Sequence, residues 1–458
     1  MNQLGDLDPK WAWRQYEVGD DATWSLAQVS HLVRRAAFGA SPTDHAELLE
    51  LGPSEAANKL LNGLAQDSFI DFERSADQLS KSVLAGGDSE SLSAAWVYRL
   101  LHTPHPLQEN ATLFWHGHFA TSAEKVEDAR MMWQQNRLLR ANAMGDLERL
   151  VQGIAQDPAM LVYLDSVTNR KSHPNENFAR ELMELFCLGE GNYSEKDVQE
   201  LSRCFTGWEI KNRVFRKNRY QQDRGDKSVL GKTGNFDGED AVRIVLEHPR
   251  MPYFVCEKLV RYFVFDEPRC PDELLEPLAE TLLSSGLSLK PVLQQILSSN
   301  LFYSSHAVGR KIRGPIDFAV GLLRTFEAST NTQKLARGLR DVGQGLLYPP
   351  NVKGWDGGRT WINSSTLIGR SNLIQQALRD EKTRFGGGSL VDWLEEQGVR
   401  DDEFVPWMSE RLLAVPLRKD TAQQLEAVAA DRSEGSSREE RLRATVHALV
   451  SIPEYQLG

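Results

Sequence analysis

The stretch Pro291-Val292-Leu293-Gln294-Gln295-Ile296-Leu297 carries the pattern that decides the fold. Its apolar residues fall three and four apart, which places them on one face of an α-helix. The same pattern recurs over residues 147–154, 198–205, 241–246, 256–264 and 317–326. Start signals agree with it. Ser194 precedes Glu195-Lys196-Asp197, so its hydroxyl and the third-position carboxylate can serve the unpaired amides of a helix start. Asp237 stands in the same way before Gly238-Glu239-Asp240. Alternating strand patterns are few, and Val214-Phe215-Arg216 is the best of them. The expected fold class is mainly α: one large helical domain with long Gly- and Trp-containing loops and a small β-hairpin.

Composition limits what this helical chain can be. At roughly 150 residues per domain, 458 residues suggest about three domains or one large one. Hydrophobic residues at 41% and charged residues at 26% fit an ordinary globular protein and exclude collagen and long disorder. A net charge of −11 argues against nucleic-acid binding, which needs a basic face to displace counterions. No stretch approaches the roughly 18 apolar residues of a membrane span. Met1 to Asp8 is acidic and polar, unlike a signal peptide, so a cytoplasmic location is expected. Cys187, Cys204, Cys256 and Cys270 form no CxxC pair, so no redox motif or zinc knuckle is visible.

Three stretches interrupt the helices. Residues 207–236 are rich in Gly, Arg, Lys and Asp and read as a long loop or small hairpin. Residues 343–363 hold Gly354, Gly357 and Gly358 with Trp355 and Trp361, and loops this long are usually functional or disordered. Gly386-Gly387-Gly388-Ser389 reads as a flexible joint. The expected division is an N-terminal extension (1–25), a main helical domain (26–380), a Gly-rich joint (381–389) and a C-terminal helical part packed on the main domain (390–458).

Two segments carry chemistry. In Phe114-Trp115-His116-Gly117-His118-Phe119 a helix runs into His116. On a continuing helix the two histidines would point about 200° apart and could not share a metal. Gly117 suits the left-handed residue that ends a helix, which would let His118 swing back toward His116. Metal binding by the pair is then open, beside the plainer reading of histidines at a helix C-terminus. In the second segment, His173 to Phe186, Pro174 suits a first helical turn. Phe178, Leu182, Leu185 and Phe186 form an apolar arc. Asn177, Arg180, Glu181 and Glu184 form the opposite one. That arc is either a solvated face or a carboxylate-rich pocket wall with Glu181 or Glu184 as ligand or base.

With these segments the chain resembles the domain of unknown function 1800 family, a bacterial family without an established activity. His31-Leu32-Val33-Arg34-Arg35-Ala36-Ala37-Phe38-Gly39 resembles its first signature and Phe114 to Phe119 its second. Asn175 to Leu185 with Gly207-Trp208 resembles the third, and Asn351-Val352-Lys353-Gly354-Trp355 the fourth. The match runs in order from about Leu26 to Tyr455. The resemblance implies one elaborated domain rather than three modules. Members usually carry asparagine where Gly117 stands, and often His-Asp where this chain has Gln222-Asp223. Members are often encoded beside a family similar to phosphatases and sulfatases, which implies a protein partner of that kind.

The tryptophan loops complete the site list. Trp208, Trp355 and Lys353, with Asn177, are the expected ligand-binding residues, although tryptophans more often pin loops to a core. Leu230-Gly231-Lys232-Thr233 lacks the glycine a phosphate loop needs, since position 226 is Asp226. Two functions remain open. One is a metal-dependent enzyme, with His116 and His118 as metal ligands and Glu181, Glu184 and Arg180 as catalytic groups. Zinc, iron or copper would suit that donor set. The other is a non-catalytic scaffold or assembly factor, in which the same residues form a buried polar network.

Overall fold

The amphipathic runs fold as helices in the computed structural model, which describes residues 4–19, 22–431 and 436–458. The helices that build the site and its frame are α1 (Leu26–Ala36), α2 (Ser89–His102), α3 (Pro106–His118), α4 (Ala129–Asn142), α5 (Asn177–Glu181), α6 (Glu195–Cys204), α7 (Met251–Phe263), α8 (Leu289–Leu297), α9 (Pro315–Thr325), α10 (Ser364–Arg379) and α11 (Arg438–Ser451). The opening heptapeptide lies in α8, which buries Val292, Leu293, Ile296 and Leu297. Both start signals form. Ser194 Oγ accepts from the Asp197 amide at 3.2 Å, and the Asp197 carboxylate accepts from the Ser194 amide at 2.9 Å. The Asp237 carboxylate accepts from the amides of Glu239 and Asp240.

Strands are confined to two-residue-turn hairpins and one short ladder. Residues 207–236 hold two hairpins, one more than the sequence suggests. Trp208–Lys211 (β1) pairs with Val214–Lys217 (β2), and Lys227–Val229 (β3) with Lys232–Gly234 (β4). Their turn residues, Asn212-Arg213 and Leu230-Gly231, all have positive φ. Such turns match the twist of the flanking strands. Leu230-Gly231 is therefore a hairpin corner. Ala328–Ser329 (β5) pairs with Arg384–Phe385 (β6).

The core has two apolar clusters. One gathers residues from Leu4 to Ala307, including α7 and α8. The other joins α2 and α9 to α10, α11 and the helices between them. Of the N-terminal extension, residues 1–3, 20 and 21 lie outside the described residues. Trp13 from the same extension is buried and donates its indole N–H to the Leu274 carbonyl at 2.5 Å. The Gly-rich joint is a packed turn: Gly388 donates to the Phe385 carbonyl at 2.8 Å, and a Cβ on Gly386 would meet Trp393 at 2.6 Å. All four cysteines are buried thiols. Among the described residues no helix is long and apolar enough to cross a membrane.

A buried ion cluster locks α2, α3 and α4 together. Glu109 on α3 is 1% exposed. It accepts from the Trp96 indole at 2.9 Å, the Arg99 Nε at 3.1 Å and two nitrogens of Arg140. Burial alone would raise the Glu109 carboxyl, but Arg140 and Arg99 outweigh it and hold it at about 2.

Candidate functional site

Helix α3 does not end at Gly117. It continues through His118, and Gly117 is absent from the positive-φ residues. The expected left-handed break is thus corrected. Gly117 is small for a different reason. The Trp355 ring lies 3.4 Å from where its Cβ would stand, and Gly354, at φ +76°, packs its backbone on the Gly117 carbonyl. Two glycines therefore let the 343–361 loop lie directly on the end of α3.

The unbroken helix sends the two histidines to different partners. His116 is buried and accepts from the Leu347 amide at 3.2 Å. It also meets Trp355 edge-on at 5.6 Å. Burial pulls it down to about 3, so it is a neutral acceptor that pins the loop. His118 bonds the Phe186 carbonyl through Nε2 at 2.9 Å. That carbonyl can only accept, so Nε2 carries the proton and Nδ1 is left as the acceptor. Burial, with Lys258 adding to it, holds His118 at about 3. Phe186 belongs to a π-helical turn over Leu182–Cys187 that continues α5, where Leu188 donates to the Met183 carbonyl at 2.8 Å. Such turns are rare and recur at functional sites. Among the described residues no three His, Cys, Asp or Glu side chains converge to hold a metal ion.

His118 faces a cavity of about 290 Å³ between α3, α7, the start of α9 and the 343–361 loop. Phe114, Leu185 and Trp361 give it apolar walls, and Lys258, Arg261, Lys311 and Lys353 give it cations. Helix α7 supplies Lys258, Arg261 and Tyr262 at helical spacing, so all three share one side. Arg35 fixes the end of α7 by donating to the carbonyls of Phe263 and Val264, groups a helix terminus leaves unpaired. Asn110 ties the pieces together. It donates to the Arg35 carbonyl at 3.0 Å and accepts from the Tyr262 hydroxyl at 2.6 Å. Lys311 donates to the Tyr262 carbonyl. Burial pulls Lys311 down to about 8; Arg35 adds to this, and Asp266 and Asp317 oppose it.

The expected site residues fall in separate places. His118, Lys353 and Trp355 line the cavity. His116 sits behind Trp355. Glu181 is not among the residues lining the cavity; burial and then Glu184 raise its carboxyl, while Arg180 and Lys353 oppose them. Glu184 accepts from the Tyr193 hydroxyl at 2.8 Å. Arg180 clasps Glu195 with two nitrogens at 2.8 and 2.7 Å, and Asn177 donates to the Leu164 carbonyl at 3.1 Å. Helix α5 starts at Asn177, so Pro174 lies ahead of it rather than in its first turn. Trp208 is 2% exposed and packs edge-on against Phe205 and Phe215, away from the cavity. Lys258, Arg261, Tyr262 and Lys311 are cavity residues the sequence did not single out. Their only signal was the i, i+3, i+4 spacing of the first three on the polar side of an amphipathic run.

The fold and site define a mainly helical protein with a cavity of mixed charge built by separated segments. The family model described as a protein of unknown function (DUF1800) matches residues 31–457, and the chain belongs to that family. No curated protein and no solved structure matches the chain.

Proposed function

We propose that this protein works through a small molecule held in the cavity, as an enzyme rather than a scaffold. The observation that supports it is convergence. The first signature fixes α7 through Arg35, the second supplies Phe114 and His118, the third supplies Leu185 next to the Phe186 carbonyl, and the fourth supplies Lys353 and Trp355. A scaffold needs a surface. These segments instead enclose a concave, partly apolar space with a few polar groups aimed into it, the form of a ligand site. In this reading His118 Nδ1 is a neutral hydrogen-bond acceptor of the site, and Glu181 sets the charge around Lys353.

Gly354→Ala tests this. The added methyl would collide with the Gly117 carbonyl in a backbone region that disfavours side chains, so the loop must lift. A thermal-shift screen of metabolite-sized compounds should give stabilising hits on the wild type that vanish in Gly354→Ala. Hits that persist unchanged would place the binding elsewhere. The metal-dependent form of the enzyme reading would put an ion on His118 with a carboxylate such as Glu181. Metal analysis of the purified protein separates the two. A stoichiometric transition metal lost in His118→Ala supports the metal form, and ligand binding by metal-free protein removes it.

A further inference from the structure

The cavity brings together cations from α7 and the 343–361 loop. The cavity also carries three carboxylates, those of Asp266, Asp317 and Asp356. Yet among the described residues Lys258, Arg261 and Lys353 make no ion pair. The nearest acid on the same helix, Glu257, is taken by Arg250 and Arg269. Arg261 reaches only a backbone oxygen, that of Asp356 at 3.1 Å. Lys258 lies over the Phe254 ring at 5.1 Å. Two of these aspartates are held by backbone donors: Asp266 accepts from Ile312 at 2.7 Å and Asp317 from Gly314 at 3.2 Å. The Trp355 side chain lines the cavity, and its indole N–H is buried with no hydrogen-bond partner. A buried donor left unmade costs about 1–3 kcal/mol in general, and a small turn of the ring that brought it to a ligand oxygen would recover that cost.

We propose that the ligand carries an oxyanion head, a phosphate or carboxylate, held by the ammonium groups of Lys258 and Lys353, the Arg261 guanidinium and the Trp355 indole N–H. This deepens the small-molecule reading above and rests on it. The head supplies acceptors to these donors, and Phe114, Leu185 and Trp361 take the apolar body. His118 Nδ1, an acceptor, meets a proton carried by the bound molecule rather than the anion itself. Burial first and then the Arg261 charge disfavour the Lys258 ammonium, and a bound anion offsets both.

Four probes separate the outcomes: inorganic phosphate, and the similarly sized benzoate, neutral benzamide and cationic benzylamine, each titrated calorimetrically into the full chain. Phosphate or benzoate should bind better than benzamide and benzylamine. Lys258→Met, which keeps the aliphatic stem, and Trp355→Phe, which keeps the ring and removes the N–H, should each weaken that binding about tenfold or more. Phosphate and benzoate answer separately, so the pair also reports which oxyanion fits. Thermal melts confirm that both variants fold. Equal binding of benzamide or benzylamine, unaffected by Lys258→Met, overturns the oxyanion head and leaves the small-molecule reading intact. No binding by any probe, together with no hit in the metabolite screen, overturns both.

Discussion

Replacing Glu109 by alanine is expected to cost about 3–5 kcal/mol of folding free energy. Two guanidiniums and an indole N–H converge on this one carboxylate, and Arg99 and Arg140 are each less than a tenth exposed. The pair attraction barely exceeds the cost of removing such charges from water. Removing the acid keeps the desolvation cost and deletes the attraction. Arg140 retains only Asn136 at 2.7 Å, and Arg99 retains the half-buried Glu73. The damage reaches the site, because Glu109 and Asn110 are neighbours on α3 and Asn110 holds Tyr262. Denaturant unfolding of wild type and variant measures the difference. A loss below about 1 kcal/mol, the scale of an exposed pair, would contradict the buried cluster.

Acid is expected to destabilise the protein well before its carboxylates titrate. His116 and His118 fall from 6.5 to about 3 because burial disfavours the imidazolium. Their contribution to stability is whole above 6.5. Below that the unfolded chain takes up protons and the folded chain does not, so stability falls until about pH 3. At pH 5 each imidazole costs about 2 kcal/mol, or about 4 together. Burial also holds His45, His102 and His105 at about 4, in the same direction. Asp157 works against them. Burial raises its carboxyl to about 7, so its contribution is whole below the ordinary 3.8 and lost as pH rises through 7. One acid offsets about 2–3 kcal/mol at pH 5 and leaves a net loss. The denaturant midpoint should drop clearly between pH 7.5 and pH 5. A flat midpoint would mean that these imidazoles are not buried and neutral.

What the sequence showed and what it hid have one physical cause, the range of the interaction involved. The helices were legible because apolar spacing and capping act within a few residues, as at Ser194 and along 289–297. The second hairpin was hidden because Leu230-Gly231 carries a weak turn signal. Gly117 was misread for a related reason. A glycine announces freedom, but its use here is space, and only the distant Trp355 reveals that. At the site, His118, Lys353 and Trp355 drew attention by type and motif. Their meeting could not be read, since it depends on Gly354 seating on Gly117 and on Leu347 bonding His116. Lys311 and Arg35 hid better still. A charged residue in a sequence looks solvated, and both are held by carbonyls from α7.

The central claim is that the chain's ligand sits against Trp355, and the indole N–H resonances test it most directly. Trp355 has no hydrogen-bond partner, whereas Trp13, Trp96 and Trp115 each donate to a protein oxygen. In a ¹⁵N-tryptophan-labelled protein, with Trp355→Phe to assign its signal, adding any stabilising compound from the screen should move the Trp355 indole proton downfield as it gains an acceptor. The Trp13 and Trp115 signals should stay in place. Binding that leaves the Trp355 resonance unmoved while shifting another indole would contradict the site.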